Sequence, residues 1–184
     1  MVKKLQIALL FAAIILTAAI KPPQVYKVAA GSIAFRSDAP LELIKASSDE
    51  LAGLFDVQKK QFAFRVKTSS FKGFNSALQK EHFNENYMES EKYPYASFEG
   101  RVIEDVNYSE PGTYSVRAKG NLMVHGVVQE RIIKVSVSVK EKGISVKSNF
   151  TVLLADHNIT IPKVVHEKLA SEINVEVKAE LSEK

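Results

Sequence analysis

Apolar and polar residues alternate with a period of two along most of this 184-residue chain. That spacing sends successive side chains to opposite faces of an extended strand. Ile33 and Phe35 alternate with Ser32, Ala34 and Arg36, and Leu41 and Leu43 begin a second, less regular strand after Asp38-Ala39-Pro40. Phe62, Phe64 and Val66 alternate with Ala63, Arg65 and Lys67, and Phe98, Gly100 and Val102 with Glu99 and Arg101. The second half is more regular: Tyr114 to Val124, Ile133 to Val139, Ile144 to Val152 and Ile173 to Leu181 each keep one apolar face. Eight strands are predicted.

The turns give the pairing order. Glu110-Pro111-Gly112 precedes the fifth strand, His125-Gly126 separates the fifth from the sixth, and Glu141-Lys142-Gly143 joins the sixth to the seventh. Tight connections in succession predict an antiparallel meander. Ser76-Ala77-Leu78-Gln79 has capping-box spacing, and Leu78, His82 and Phe83 follow at helical intervals. Pro162 opens a second predicted helix running to about Ala170, with Val165 and Leu169 on one face. Ser48 to Lys60 is ambiguous, since Asp49-Glu50-Leu51 suits a helix start and Gly53 weakens it. No internal repeat or linker suggests a second domain.

Eight amphipathic strands must each bury one face, as a sandwich or a closed barrel. Closure removes the sheet edges that otherwise template aggregation. At eight strands the lumen holds side chains alone or one small ligand. The expected inner face carries Phe35, Phe62, Phe64, Val66, Phe98 and Val102 from the first strands. Tyr114, Val116, Leu122, Val124, Ile133, Val135, Phe150 and Val152 continue it. These residues either fill a solid core or line a container for an acyl or isoprenoid chain. A polar ligand is excluded, because its desolvation would go uncompensated. A membrane-spanning barrel is disfavoured by Lys and Arg in mid-strand and by the interrupting helices.

Composition sets the compartment. MVKK runs into LQIALLFAAIILTAAI, in which only Gln6 and Thr17 are polar, and Lys21-Pro22-Pro23 follows. Residues 1–20 read as a secretory signal peptide and 21–184 as one domain. A retained anchor is the rival, since about 17–25 apolar residues span a bilayer. With no cysteine, there is no disulfide, thiolate or lipidated Cys. The net charge of +4 includes Lys3 and Lys4, which leaves +2 for the mature chain. Without a basic run or interleaved aromatics, nucleic acid is not expected as a partner. Nor is a stable membrane span in the mature form, while a homodimer is allowed.

Catalytic motifs are scarce. Glu81, His82, Glu85 and Glu89 fall three to four apart on the first helix, but no HExxH accompanies them. A solvated face is the expectation, with no metal or other cofactor. The same helix offers Phe83, Tyr87 and Met88 as a lid over one barrel mouth. His125 reads as a turn residue, and Asp156-His157 forms a dyad only if the strand turns there. There is no Gly-x-Ser-x-Gly, phosphate loop or dinucleotide fingerprint.

The segment FAFRVKTSSFKGFNSALQKEHFNENYMESEKYPYASFEG, residues 62–100, resembles the YceI-like family. So do Leu122-Met123-Val124-His125-Gly126 and the series Phe150, Val152, Leu154, Asp156, Ile159 and Pro162. Most of residues 31–182 take part. The resemblance implies an all-β fold: an extended, lipocalin-like, eight-stranded antiparallel barrel with one or two short helices. It implies a long-chain isoprenoid or fatty-acyl lipid in the lumen and, for members with a leader, a periplasmic location; the expected function is a non-catalytic carrier. Tyr87, Tyr93 and His125 are the residues expected to meet a head group. The rivals are a filled barrel acting as an interaction protein, and an accessory to isoprenoid-quinone redox chemistry using His82 or His157. The region Leu41 to Gln61 departs from the family pattern.

Overall fold

The computed structural model describes residues 24–184. The expected signal peptide therefore lies outside the described residues. Nine strands run β1 Val25–Asp38, β2 Leu43–Ser48, β3 Ala52–Asp56, β4 Gln61–Lys67, β5 Tyr95–Val102, β6 Gly112–Val124, β7 Val127–Lys140, β8 Gly143–Leu153 and β9 Glu172–Glu183. Every neighbouring pair is antiparallel, and β1 closes the sheet by pairing with β9.

The barrel has eight staves, because β2 and β3 share one. Ile33 faces Ser48 and, six residues on, Lys27 faces Leu54, so both strands pair with β1 in a single register. Asp49 to Leu51 interrupt the stave. This places a strand, not a helix, in the ambiguous segment. The inward series Leu51, Gly53, Phe55 and Val57 alternates with outward residues that include the exposed Leu54. Gly53 leaves room on that face for the Phe64 ring, which a β-carbon would meet at 2.4 Å.

Strand β1 begins eight residues before the alternation at Ile33, and a bulge between Val28 and Ala30 breaks its period. His125 and Gly126, with φ of 51° and 71°, form the two-residue turn between β6 and β7. Positive φ at both positions matches the twist of the flanking strands. Gly100 and Gly120 face each other across β5 and β6, where a β-carbon on either would stand 2.1 Å from a carbonyl oxygen.

Helix α1, Ala77–His82, begins where expected. Ser76 Oγ accepts from Gln79 N–H at 3.1 Å, and a wider turn, Phe83–Tyr87, continues the helix. The second predicted helix is corrected. After Pro162, extended at ψ 141°, only a short 3₁₀ turn forms at Lys163–Val165. Two consecutive β-branched valines, within a run too short to repay nucleation, favour the tight turn.

The staves create two different ends. At one lie the turn 57–60, segment 103–111, hairpin 141–142 and the outer ends of β1 and β9. Here Tyr26, Val57, Val139, Ile144 and Leu181 are buried, and Val106 and Tyr108 pack partly buried against the core. The Tyr108 ring meets Phe55 edge-on at 5.3 Å. At the other end lie turn 39–42, segment 68–94 with α1, hairpin 125–126 and segment 154–171.

Candidate functional site

Away from the filled end the lumen opens into a cavity of about 550 Å³. That is within the usual range for small-molecule sites, roughly 300–1,000 Å³. Its wall contains Phe35, Phe62, Phe64, Val66, Phe98, Val102, Val116, Leu122, Val124, Ile133, Val135, Phe150 and Val152. Tyr114 shares their parity but lies outside the wall, with its hydroxyl donating to Glu110 O at 3.3 Å. Leu51 and Phe55 of the split stave also line the cavity, as do Phe71, Phe74 and the inner faces of β8 and β9.

The wall offers almost no polar chemistry. Thr68 and Ser148 reach it, but their hydroxyls are committed to Tyr93 O at 3.1 Å and Lys134 O at 2.7 Å. The other polar residues gather mostly at the rim: Glu42, Ser76, Gln79, His82 and Lys168. Gln79 Nε2 donates to Glu42 Oε1 at 2.9 Å, tying α1 to the β1–β2 turn. Leu41 N–H donates to Glu167 O at 2.9 Å, tying that turn to segment 162–170.

Phe83, Tyr87 and Met88 face the cavity from the α1 segment. Phe83 stacks on Phe35 at 5.3 Å and lies 5.7 and 5.1 Å from Phe71 and Phe74. Such ring pairs add about 0.5–1.5 kcal/mol beyond their area. They fasten the roof to β1. Phe71 and Phe74 carry no periodic signal, because they follow the 3₁₀ turn that ends β4.

Of the expected head-group residues, Tyr87 lines the cavity; Tyr93 and His125 do not. Those two rings meet edge-on at 4.8 Å on the outer side of the mouth end. His125 Nε2 bonds Glu89 Oε2 at 2.6 Å, and its Nδ1 donates to His157 O at 3.0 Å. His157 is fully buried off the cavity wall, and Nδ1 donates to Val127 O at 3.1 Å. Its Nε2 has no partner among the described residues. Burial holds its pKa below the ordinary histidine value. Asp156, exposed on the same 3₁₀ turn, forms no pair with it.

Glu81, His82 and Glu85 are exposed, and Glu89 bonds His125 and lies 4.0 Å from Lys92. Among the described residues no three His, Cys, Asp or Glu side chains come together as a metal site would need. No helix of the described residues is long and apolar enough to cross a membrane.

A closed antiparallel barrel around an apolar cavity is the lipocalin-like class of container. Within it, the model of the YceI-like domain matches residues 29–181, and the chain belongs to the YceI-like family. The fold is similar to a polyisoprenoid binding domain from Saccharophagus degradans implicated in plant cell wall breakdown. That likeness has a TM-score of 0.73 at 14% identity and covers 88% of this chain and 99% of that one. Burkholderia cenocepacia BcnA follows at TM-score 0.66 and 13% identity, over 81% and 94% of the two chains. A Campylobacter jejuni YCEI protein gives 0.62 at 17% identity, over 77% and 85%. No curated protein sequence matches the chain.

Proposed function

We propose that this protein is an exported, periplasmic carrier that holds the long isoprenoid or acyl tail of a lipid in its barrel, without catalysis. One observation carries the reading: a cavity of about 550 Å³ whose wall is apolar and whose inner hydroxyls are already bonded to main chain. Such a wall rewards apolar length. Each buried CH₂ contributes about 0.8 kcal/mol. Association costs an estimated 4–15 kcal/mol in lost freedom. Roughly ten buried methylenes only offset that cost, so the ligand has a long tail. The rim group of Glu42, Gln79, His82 and Lys168 orients its head. Family membership and the polyisoprenoid binding domain among the similar structures support an isoprenoid. The basic-then-apolar leader at residues 1–20 supports export.

Native mass spectrometry of the protein purified from its own periplasm, followed by solvent extraction, tests this reading. A stoichiometric long-chain lipid adduct is expected. A clean apo mass that stays unchanged on adding isoprenoid or fatty-acyl lipids contradicts it.

A further inference from the structure

The barrel wall is not uniformly sealed. The β6–β7 ladder runs from Gly112–Val139 to Val124–Val127, and β8–β9 pair from Ile144–Leu181 to Leu153–Glu172. Between β7 and β8 the ladder instead stops at Ser136–Lys147. Among the described residues no ladder pair joins them from there to the mouth end. Both strands continue, β7 back to Val127 and β8 on to Leu153. They diverge.

Side chains bridge the resulting seam. Ser148 Oγ donates to Lys134 O at 2.7 Å, Arg131 donates to Thr151 O at 2.9 Å, and Gln129 donates to Asp156 O at 2.7 Å. Arg131 and Gln129 share the inward parity of Ile133 and Val135, which line the cavity, yet neither lines it. Both reach instead for carbonyls across the seam. Phe150 and Val152 line the cavity from the β8 side, so apolar lumen lies directly behind the latch. Outside, Ile132 and Val128 on β7 and Leu153 on β8 are 56%, 53% and 43% exposed. A tail crossing here meets apolar side chains on both faces of the wall.

We propose that the ligand's tail enters and leaves sideways, through the β7–β8 seam, with Arg131 and Gln129 as the latch. Opening it requires the side chains of Arg131, Gln129 and Ser148 to change rotamer and no ladder to break. The barrel end is tied more firmly, by Phe83 against Phe35, Phe71 and Phe74, by Gln79 on Glu42 and by Leu41 N–H on Glu167 O. This inference rests on the lumen holding an apolar tail.

The chain has no cysteine, so paired cysteines report cleanly. Ile132→Cys with Leu153→Cys, joined by a bismaleimide that spans the seam, holds β7 to β8. Glu99→Cys with Asn121→Cys, opposite each other on the paired β5 and β6, is the control. Stopped-flow fluorescence of a conjugated octadecatetraenoic acid reads uptake and release before and after linking, so each variant is its own folding control. Linking the seam slows both rates at least about tenfold with equilibrium affinity unchanged, as expected of a gate. Arg131→Ala with Gln129→Ala speeds both. Seam-linked rates equal to those of the linked control overturn the lateral route while leaving the lumen intact. A wild-type protein that takes up no probe overturns the lumen reading and the route together.

Discussion

The two ends of this barrel are built from the same strands and have opposite interiors. At the filled end Tyr26, Val139, Ile144 and Leu181 are buried on the neighbouring strands β1, β7, β8 and β9, and segment 103–111 packs Val106 and Tyr108 against the core. Toward the mouth, Phe35, Phe98 and Phe150 project from the same inward parity and leave a cavity. Bulk does not separate the two, since both carry aromatic rings: Tyr26, Phe55 and Tyr108 at the first, Phe35, Phe98 and Phe150 at the second. Connection geometry does. A loop that folds inward plugs the first end, whereas segments 68–94 and 154–171 roof the second. The filled end supplies the fold's rigidity and the hollow end its capacity.

The sharpest contrast comes from truncation. Ile144, 1% exposed at the filled end, should cost about 2–5 kcal/mol as Ile144→Ala, because a tight site gains a cavity. Phe150→Ala on the cavity wall should cost clearly less than the roughly 3–5 kcal/mol usual for a packed Phe, since its ring already borders a void. Urea unfolding of both variants measures the difference, and equal costs would erase the distinction.

A smaller effect of opposite sign is expected at Tyr108. Its hydroxyl is buried without a partner among the described residues, and burial pushes its pKa up to about 12. A stranded polar group costs about 1–3 kcal/mol. Tyr108→Phe should therefore stabilise the protein by about 1 kcal/mol with tail binding unchanged. Destabilisation would show that the hydroxyl has a role in holding the plug.

The smallest effect is in pH. His157 is buried at the mouth end with its pKa lowered by desolvation, so the unfolded chain takes up the proton first. Stability is fully present above the unfolded histidine pKa near 6.5 and falls as pH drops from there to the lowered folded value. In His157→Gln the loss across that window should shrink, measured as denaturation midpoints in a pH series. An unchanged pH profile would acquit His157.

These contrasts also show what the sequence carried. Strands β6 to β8 were legible because long runs of Val and Ile alternate with Ser and Lys between two tight turns. Strand β3 was not, because Gly53 faces inward under Phe64 while Leu54 faces out, which blurs the period. The filled end was invisible because Val106 and Tyr108 belong to a loop whose inward path no periodicity encodes. His125 was recognisable as a turn residue, but Glu89 and His157 reach it from distant segments. The latch did leave a trace: Gln129 and Arg131 are polar residues on the inward parity, just before Ile133.

The central claim is that an apolar tail lies in the hollow part of the barrel. Titrating a homologous series of fatty acids against wild type and Val135→Trp tests it most directly, since Val135 faces the cavity without being fully buried. Affinity should rise about fourfold per added CH₂ until the tail meets the filled end, and Val135→Trp should reach its plateau at a shorter chain. Affinity independent of chain length, or identical series for the two proteins, would contradict it.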